Sequence, residues 1–291
     1  MTDEGLIGPV DPPGLHVMTY NIRRRVRSLR PGGPDDWTVR EPLLRRILAD
    51  EQPSLLGVQE ALPDQAGVVA DALGPSHRSV GRGRDPDGRG EGCPIFWDTR
   101  RLELTDWRQQ ALSATPERAG SRSWGNVVPR NLVSAEFTDR GTGTRLLAIN
   151  THFDHLSRRS RMESARRVAE LAAAAHSRDP GAMIVMTGDI NADATSRVHD
   201  RLTAGVLRDA WEVTEDRLTP QWRTYSGYRR PRVGGTRIDL ILVGPGVEVV
   251  RCGINARRFG RAAASDHEPV QAVIRSAPRP SATTPPGGEP A

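Results

Sequence analysis

The chain has 291 residues and a formal net charge of +5, and all 41 of its Lys and Arg residues are arginine. Mechanisms that need a Schiff-base lysine, a lysine general base or a P-loop lysine are therefore excluded. The positive charge would suit a nucleic-acid partner, but codon bias in a GC-rich genome explains an arginine-only composition more simply, so charge alone does not identify a function.

Composition and patterning predict one globular domain at residues 15–276, between disordered ends at 1–14 and 277–291. No apolar run reaches the roughly 18 residues that span a bilayer, and the N-terminus lacks the pattern of a signal peptide. Cys93 and Cys252 are isolated and have no metal-ligand spacing. Two buried free thiols are expected in a reducing compartment, so we predict a cytoplasmic protein.

Strand-like and helix-like patterns alternate along the domain. In chain order we predict a strand at 15–21, a helix at 41–50, strands at 55–59, 94–97, 131–137 and 145–150, a long helix at 160–176, and strands at 182–186, 237–243, 247–252 and 269–274. Many strands with long loops and few helices predict two packed sheets with helices outside.

Polar residues recur where these apolar runs stop. They are Asn21, Glu60, Asn150, Asp189 with Asn191, Asp239, and Asp266 with His267. A buried carboxylate without a partner costs roughly 3–5 kcal/mol, so these positions need a common explanation. A cluster around Mg²⁺, which prefers oxygen ligands, supplies one, with His152 and His267 as proton or hydrogen-bond partners. Zinc is disfavoured because clustered Cys and His spacing is missing from the sequence.

Several motifs follow one another in a characteristic order: MTYNIR, VQE, NTHFDH, GDINA, RIDLI and SDHEPV. In that order, and with the stretch EGCPIFWDTRRLEL, the chain resembles the endonuclease/exonuclease/phosphatase superfamily of metal-dependent phosphoesterases, most closely a bacterial branch of it. The resemblance extends over nearly the whole domain. It implies an α/β fold, a deoxyribonuclease-like four-layer sandwich of two packed mixed β-sheets flanked by helices.

The resemblance also implies a metal-binding group. Glu60 matches the chief metal carboxylate, Asn21 lies beside it, and Asp266 would add a second contact. The expected ion is Mg²⁺, with Mn²⁺ as a substitute. Arg23 and Arg130 are the arginines expected to contact the substrate, because arginine binds phosphate oxygens in a bidentate manner.

The catalytic group follows from the same resemblance. Asp189 and Asn191 match the pair that positions the attacking water and the scissile phosphate, and Asp189 is a candidate general base. His267 matches a histidine that faces the phosphate and that Asp239 orients. His152 matches a second phosphate-facing histidine, and the preceding motif offers Glu91 to orient it.

These assignments predict hydrolysis of a phosphate ester by in-line attack of water. The arginine runs at 23–30, 158–167 and 229–232 favour a nuclease, with nucleic acid as the partner. A small-molecule or lipid phosphatase or phosphodiesterase is the alternative. A non-catalytic phosphate-binding scaffold is a third, remote hypothesis. The sequence predicts no protein partner.

Overall fold

The computed structural model describes residues 5–26 and 31–277. Its strands are β1 (Leu15–Asn21), β2 (Leu55–Gln59), β3 (His77–Val80), β4 (Ile95–Asp98), β5 (Leu102–Ala111), β6 (Asn131–Asp139), β7 (Arg145–His152), β8 (Met183–Asp189), β9 (Arg208–Asp209), β10 (Asp239–Val243), β11 (Val247–Ile254) and β12 (Val270–Ser276). Its helices are α1 (Trp37–Glu51), α2 (Pro63–Leu73), α3 (Arg158–Arg178), α4 (Arg197–Thr203) and α5 (Ala210–Val213).

The strands form two six-stranded sheets, with the orders β11-β12-β1-β2-β4-β3 and β5-β6-β7-β8-β10-β9. Both sheets are mixed, because β1 pairs with β2 and β7 with β8 in parallel, whereas the other neighbours are antiparallel. Parallel neighbours place the carboxyl ends of β1 and β2, and of β7 and β8, at the same edge of their sheets.

The two sheets pack face to face, and helices cover their outer faces. Successive side chains of a strand alternate between faces, so Leu15 and Val17 of β1 join the core between the sheets, while Met18 and Tyr20 pack with the helices α1 and α2. On the second sheet, α3 and α4 pack in the same way over the outer face of β7 and β8. The predicted four-layer sandwich is confirmed.

The layer between the sheets changes from apolar to polar toward one edge. Gln59 Nε2 donates to Asn150 Oδ1 (2.7 Å) and to Thr19 Oγ1 (3.0 Å), while Thr187 Oγ1 donates to Asn150 Oδ1 (3.2 Å). A Cβ at Gly57 would overlap Thr187 Oγ1 and lie 2.7 Å from Asn150 Oδ1. This network, which we call the polar bridge (Thr19, Gly57, Gln59, Asn150 and Thr187), connects the two sheets directly beneath the polar edge.

The sequence patterns did not predict some of the elements. The strands at 15–21 and 55–59 have the predicted bounds, but α2 and β5 were not predicted. The edge strand β5 pairs only with β6, and most of its side chains are exposed or half-buried, so it lacks a continuous apolar run. The helix α2 begins at Pro63, which suits the first helical turn but also resembles a loop signal in sequence.

The described part of the N-terminus is packed, in contrast to the disorder expected for residues 1–14. The buried carboxylate of Glu51 accepts hydrogen bonds from the backbone N–H groups of Leu6 (2.6 Å), Ile7 and Gly8 (3.1 Å each). Composition could not predict this contact, because the partner lies at the end of α1. Residues 1–4 and 278–291, also predicted to be disordered, lie outside the described residues. Among the helices that the structure describes, none has the length and apolarity needed to cross a membrane.

Candidate active site

The polar edge is where the predicted site residues meet. Asn21, His152 and Asp189 end β1, β7 and β8, and Glu60 directly follows β2. Asp239 begins β10, which runs antiparallel to β8, so it lies opposite Asp189. A cavity of about 410 Å³ opens there, and its lining includes Arg23, Glu60, Arg130, His152, Asp189, Asn191, Asp266 and His267. The structure therefore brings together residues that are separated by up to 246 positions in sequence, from Asn21 to His267.

Asn21 links the two central carboxylates. Its Nδ2 donates to Glu60 Oε1 (3.1 Å) and to Asp189 Oδ2 (3.0 Å), and its Oδ1 accepts from the backbone N–H of Arg23 (3.0 Å). The amide oxygen expected to bind a metal thus faces the Arg23 backbone, because the two carboxylates take both amide donors.

Glu60 is held ionised in a strained position. Its φ of 61° is left-handed, a conformation that costs a non-glycine residue about 1 kcal/mol or more. Burial acts to raise the pKa of Glu60, but the hydrogen bond from the Arg24 backbone N–H (3.0 Å) and the charge of His267 lower it below its usual value. Arg23 and Asn191, at 56° and 48°, share this left-handed backbone.

Arg23 lies between carboxylates. It forms an ion pair with Asp35 (3.1 Å), and its guanidinium lies 3.9 Å from Glu60 and 3.8 Å from Asp266. The hydroxyl of Tyr228 donates to the same Asp35 (2.6 Å). Sequence reasoning missed Asp35, which carries no motif and is recognised only by its contact with Arg23.

Asp239 contacts the imidazole ring of His267. Its Nδ1 lies 2.9 Å from Asp239 Oδ2, and its Nε2 lies 3.8 Å from Asp189 Oδ2. Burial opposes the charge of the ring, but the negative charge of Asp239 and this hydrogen bond raise the pKa of His267 well above 6.5. The ring also packs at a tilted angle against Tyr225, with ring centroids 4.9 Å apart. Because Asp239 holds Nδ1, the Nε2 of the charged ring points toward Asp189 and the cavity.

His152 has the opposite protonation state. Its Nε2 lies 3.6 Å from Asp189 Oδ2, but burial and the charges of Arg130 and Arg84 lower the pKa of His152 well below 6.5. Burial, followed by the charge of Asp239, raises the pKa of Asp189 to about 7. One neutral and one charged imidazole consequently flank a carboxyl group that can exchange a proton near neutral pH.

Asn191 is tied to the same carboxylate through its backbone. Its N–H donates to Asp189 Oδ1 (2.8 Å), and its side-chain Nδ2 donates to the carbonyl oxygen of Phe153 (2.9 Å). The first contact fixes the turn after β8, and the second holds this turn against the end of β7. Asn191 thereby lies in the cavity wall.

Arginines form the opposite wall. Arg130 is 3% exposed, donates to His155 Nδ1 (2.9 Å) and lies 3.6 Å from Asp154. Its Nε and Nη1 are buried and have no hydrogen-bond partner among the described residues. Glu91, expected to orient His152, instead pairs with Arg84 (2.9 Å) and Arg24. Arg84 was missed because its arginine-rich hairpin carries no motif.

The charge balance of the cavity suits a divalent cation. Of the carboxylates at the centre, Asp189, Asp239 and Asp266 are buried and Glu60 is half-buried, and the cationic side chains that contact them are Arg23 and His267. Burial and the charge of Glu60 raise the pKa of Asp266, as expected where negative charge is in excess. Ligand atoms of Asp189, Asp239 and His267 also lie within 4.8 Å of one another. These acidic groups could therefore bind a metal ion.

Comparisons with known proteins show what this chain is similar to. A sequence profile described as "Endonuclease/Exonuclease/phosphatase family" matches residues 18–267. A Bacteroides thetaiotaomicron protein of that description is 29% identical with a TM-score of 0.82, covering 91% of this chain and 98% of its own. A mannosyl-6-phosphatase from the same species is 28% identical with a TM-score of 0.81, covering 89% and 99%.

More distant structures share the fold alone. TDP2 from Caenorhabditis elegans, in truncated form, is 18% identical with a TM-score of 0.65, covering 91% of this chain and 98% of its own. Among curated proteins, none matches the chain significantly.

Proposed function

The chain belongs to the endonuclease/exonuclease/phosphatase family, and on this basis we propose that it is a divalent-metal-dependent phosphoesterase that cleaves its substrate by attack of water. One observation carries the proposal: the His267–Asp239 pair and Asp189 face each other in a cavity of about 410 Å³ that arginines close on its other side. A proton donor, a proton acceptor and anion-binding groups converge where a phosphoryl group could lie.

In the proposed mechanism Glu60, Asn21 and Asp266 would hold the cation, Mg²⁺ or alternatively Mn²⁺, because they offer the oxygen ligands that hard ions prefer. Asn21 would have to turn its amide oxygen toward the ion. Once bound, the ion neutralises charge that develops on the phosphoryl oxygens.

The remaining steps belong to side chains. The water oxygen bonds to phosphorus while the P–O bond to the leaving oxygen breaks; Asp189 accepts a proton from the water, and the leaving oxygen takes one from solvent. Asn191 fixes Asp189 through its backbone N–H (2.8 Å). His267 donates a hydrogen bond from Nε2 to a phosphoryl oxygen, while Asp239 holds Nδ1 and keeps the ring charged. His152, neutral, hydrogen-bonds the same phosphoryl group from the other side of Asp189.

Arg130 is the proposed anchor of the phosphate. Its buried Nη1 lacks a hydrogen-bond partner among the described residues, its Nε has only the 3.6 Å ion pair with Asp154, and it lines the cavity. A buried donor without an acceptor costs about 1–3 kcal/mol, which phosphate oxygens would recover on binding. Arg23, engaged by Asp35, would act by holding Glu60 and Asp266 in place.

The substrate class we favour is a phosphate ester of a small molecule. Of the arginines that favoured a nuclease, the three that lie nearest the site are engaged in ion pairs, since Arg23, Arg24 and Arg25 pair with the carboxylates Asp35, Glu91 and Asp64. Arg27 and Arg30 of the same run lie outside the described residues. The activity named for the Bacteroides mannosyl-6-phosphatase supports this choice. A nuclease is the second candidate, because the net charge of +5 would attract nucleic acid. A cytoplasmic location stays a prediction, supported by the two buried free thiols.

A substrate panel tests the proposal. The protein is treated with EDTA, and hydrolysis of sugar phosphates, nucleotides, sphingomyelin, RNA and single- and double-stranded DNA is measured before and after Mg²⁺ or Mn²⁺ is returned. We expect hydrolysis of a small ester only with metal, and loss of at least about 10²-fold in kcat for Glu60→Gln. Full activity in EDTA, or in Glu60→Gln, would contradict the proposal. A KM for DNA that rises steeply with salt would instead favour the nuclease.

A further inference from the structure

A second cavity adjoins the first across the side chains of Arg84 and Arg130, which line both. Its volume is about 330 Å³. It lies against the edge strand β5 and the following loop, and the residues particular to it include Arg82, Trp107, Arg108, Glu117 and Asn131. We call these five residues the outer pocket.

The outer pocket is strongly cationic. Together with Arg84 and Arg130, its lining contains four arginines against one carboxylate, Glu117, which accepts a hydrogen bond from Gln110 (2.9 Å). Arg108 has only an exposed pair with Asp106 (3.5 Å), a contact of little strength in water. The guanidinium of Arg82 has no ion-pair partner within residues 5–26 and 31–277. Because Arg84 pairs with Glu91 and Arg130 with Asp154, the positive charge available to a ligand is that of Arg82 and Arg108.

Buried donors without partners line the same space. Asn131 is 5% exposed, and its Nδ2 has no hydrogen-bond partner in the part of the chain that the structure describes. Arg130 Nη1 shares this condition. Such donors are costly unless a ligand supplies acceptors, and an anion supplies the strongest ones. Trp107, half-buried, adds an apolar wall to the pocket.

We propose that the outer pocket binds a second anionic group of the substrate, so that the preferred substrate carries a phosphate or an equally charged group beside the ester that is cleaved. The inference rests on the proposed function, since the first anion is the scissile phosphate in the neighbouring cavity. Arg84 and Arg130, which separate the two cavities, would contact both groups. The carbon skeleton between the two anions would lie near Trp107.

Paired ligands with one or two phosphates test the inference. Thymidine 5′-monophosphate is compared with thymidine 3′,5′-bisphosphate, and glucose 6-phosphate with glucose 1,6-bisphosphate, which separates a nucleotide source of the second anion from a sugar source. Calorimetric titration gives Kd, and a phosphate-release assay gives KM. In at least one pair we expect the second phosphate to lower Kd and KM about tenfold or more, the range of charged hydrogen bonds.

The double variant Arg82→Gln/Arg108→Gln should abolish this advantage and leave the one-phosphate ligand unchanged. The variant Arg100→Gln/Arg140→Gln is the matched control, because it removes the same charge from exposed arginines that line neither cavity. A missing advantage in both pairs, or an advantage that survives in the double variant, overturns the inference. If the wild-type protein hydrolyses neither these esters nor any substrate of the wider panel, the proposed function fails, while the calorimetric comparison still decides the outer pocket.

Discussion

The two histidines beside Asp189 differ in charge because their second partners differ. His267 has the carboxylate of Asp239 at 2.9 Å, and this contact raises the pKa of His267 despite burial. His152 is buried among arginines, so its pKa falls. The neighbouring side chains thus determine that His267 is a charged hydrogen-bond donor and that His152 is a neutral one.

This difference predicts the effect of two substitutions. His267→Gln should lower kcat by about 10²–10⁴-fold, the usual contribution of a positioned acid or base. Asp239→Asn should cost about 10–100-fold, because it removes the residue that orients the ring. Steady-state kinetics on the best substrate of the panel measures both.

Asp239 should also be visible in the pH profile. Because Asp239 raises the pKa of His267, the alkaline loss of activity in Asp239→Asn should occur at lower pH than in the wild-type protein. His176→Gln on α3 is the control and should leave the profile unchanged. An unchanged alkaline limb in Asp239→Asn would mean that Asp239 has only a structural role.

At the scale of elements, the site depends on how closely β2 approaches β7 and β8. The polar bridge occupies this contact, and Gly57 is the residue that leaves room for it. A side chain at Gly57 would meet Thr187 and Asn150. Asn150 accepts a hydrogen bond from Gln59, and Thr187 donates one to the backbone of β7. The separation of the sheets below the cavity is therefore set by one glycine.

Gly57→Ala should destabilise the protein by about 1–3 kcal/mol, the usual cost of an added methyl group in a packed core. Urea unfolding followed by circular dichroism measures the free energy of unfolding. Gly67→Ala on α2 is the matched control, because nothing lies within 4 Å of a Cβ there and alanine favours the helix by about 1 kcal/mol. Equal stability of Gly57→Ala and the wild-type protein would show that the sheets separate freely.

A second contact between elements is sensitive to pH. Asp209 Oδ2 at the end of β9 lies 3.2 Å from His199 Nε2 on α4 and 2.9 Å from Arg237 Nη1. The hydrogen bond to Asp209 raises the pKa of His199 above 6.5, so folding favours the protonated ring. The stabilisation is therefore complete below about pH 6.5, the ordinary pKa of histidine, and is lost as the pH rises through the folded-state pKa.

His199→Gln should accordingly cost more stability at about pH 6 than at about pH 9, by about 1 kcal/mol for a charged hydrogen bond. Free energies of unfolding at the two pH values, for both proteins, provide the measurement. The same loss at both pH values would show that the charge of His199 does not contribute.

At the scale of the whole molecule, the distribution of charge matters more than its sum. The net charge is +5, yet the centre of the site contains three buried carboxylates and the half-buried Glu60, and each of them contacts Arg23 or His267. The protein as a whole thus carries a positive net charge, whereas carboxylates predominate at the centre of the site. An anionic substrate would be attracted by the surrounding charge, and a cation would be held at the centre.

Metal binding should therefore stabilise the fold. A ligand at about 100 times its Kd adds about 2.7 kcal/mol, so Mg²⁺ at millimolar concentrations should raise Tm in a thermal melt of the wild-type protein. Glu60→Gln should remove most of this increase, whereas Glu103→Gln on the exposed edge strand β5 should retain it. An equal increase in all three proteins would place the cation elsewhere.

The sequence by itself determined nine of the twelve strands and the polar residues at their ends. An apolar run that ends in a polar residue is visible locally, and for this reason Asn21, Glu60 and Asp189 could be found without a structure, as could Asp239, which interrupts the apolar run RIDLILV. The order of the motifs then indicated the fold. Their geometry at one edge follows from the parallel pairing of β1 with β2 and of β7 with β8.

Only the tertiary structure decided which charges compensate one another. Glu91 pairs with Arg84 and Arg24 rather than with His152, and Glu51 binds the N-terminal segment. The outer pocket is formed by β5, which has no continuous apolar run, and by loops that carry no motif. The strength of an electrostatic interaction depends on the distance between the charges in space. Here the paired charges are tens of residues apart in the chain, and this pairing produces no periodic pattern in the sequence.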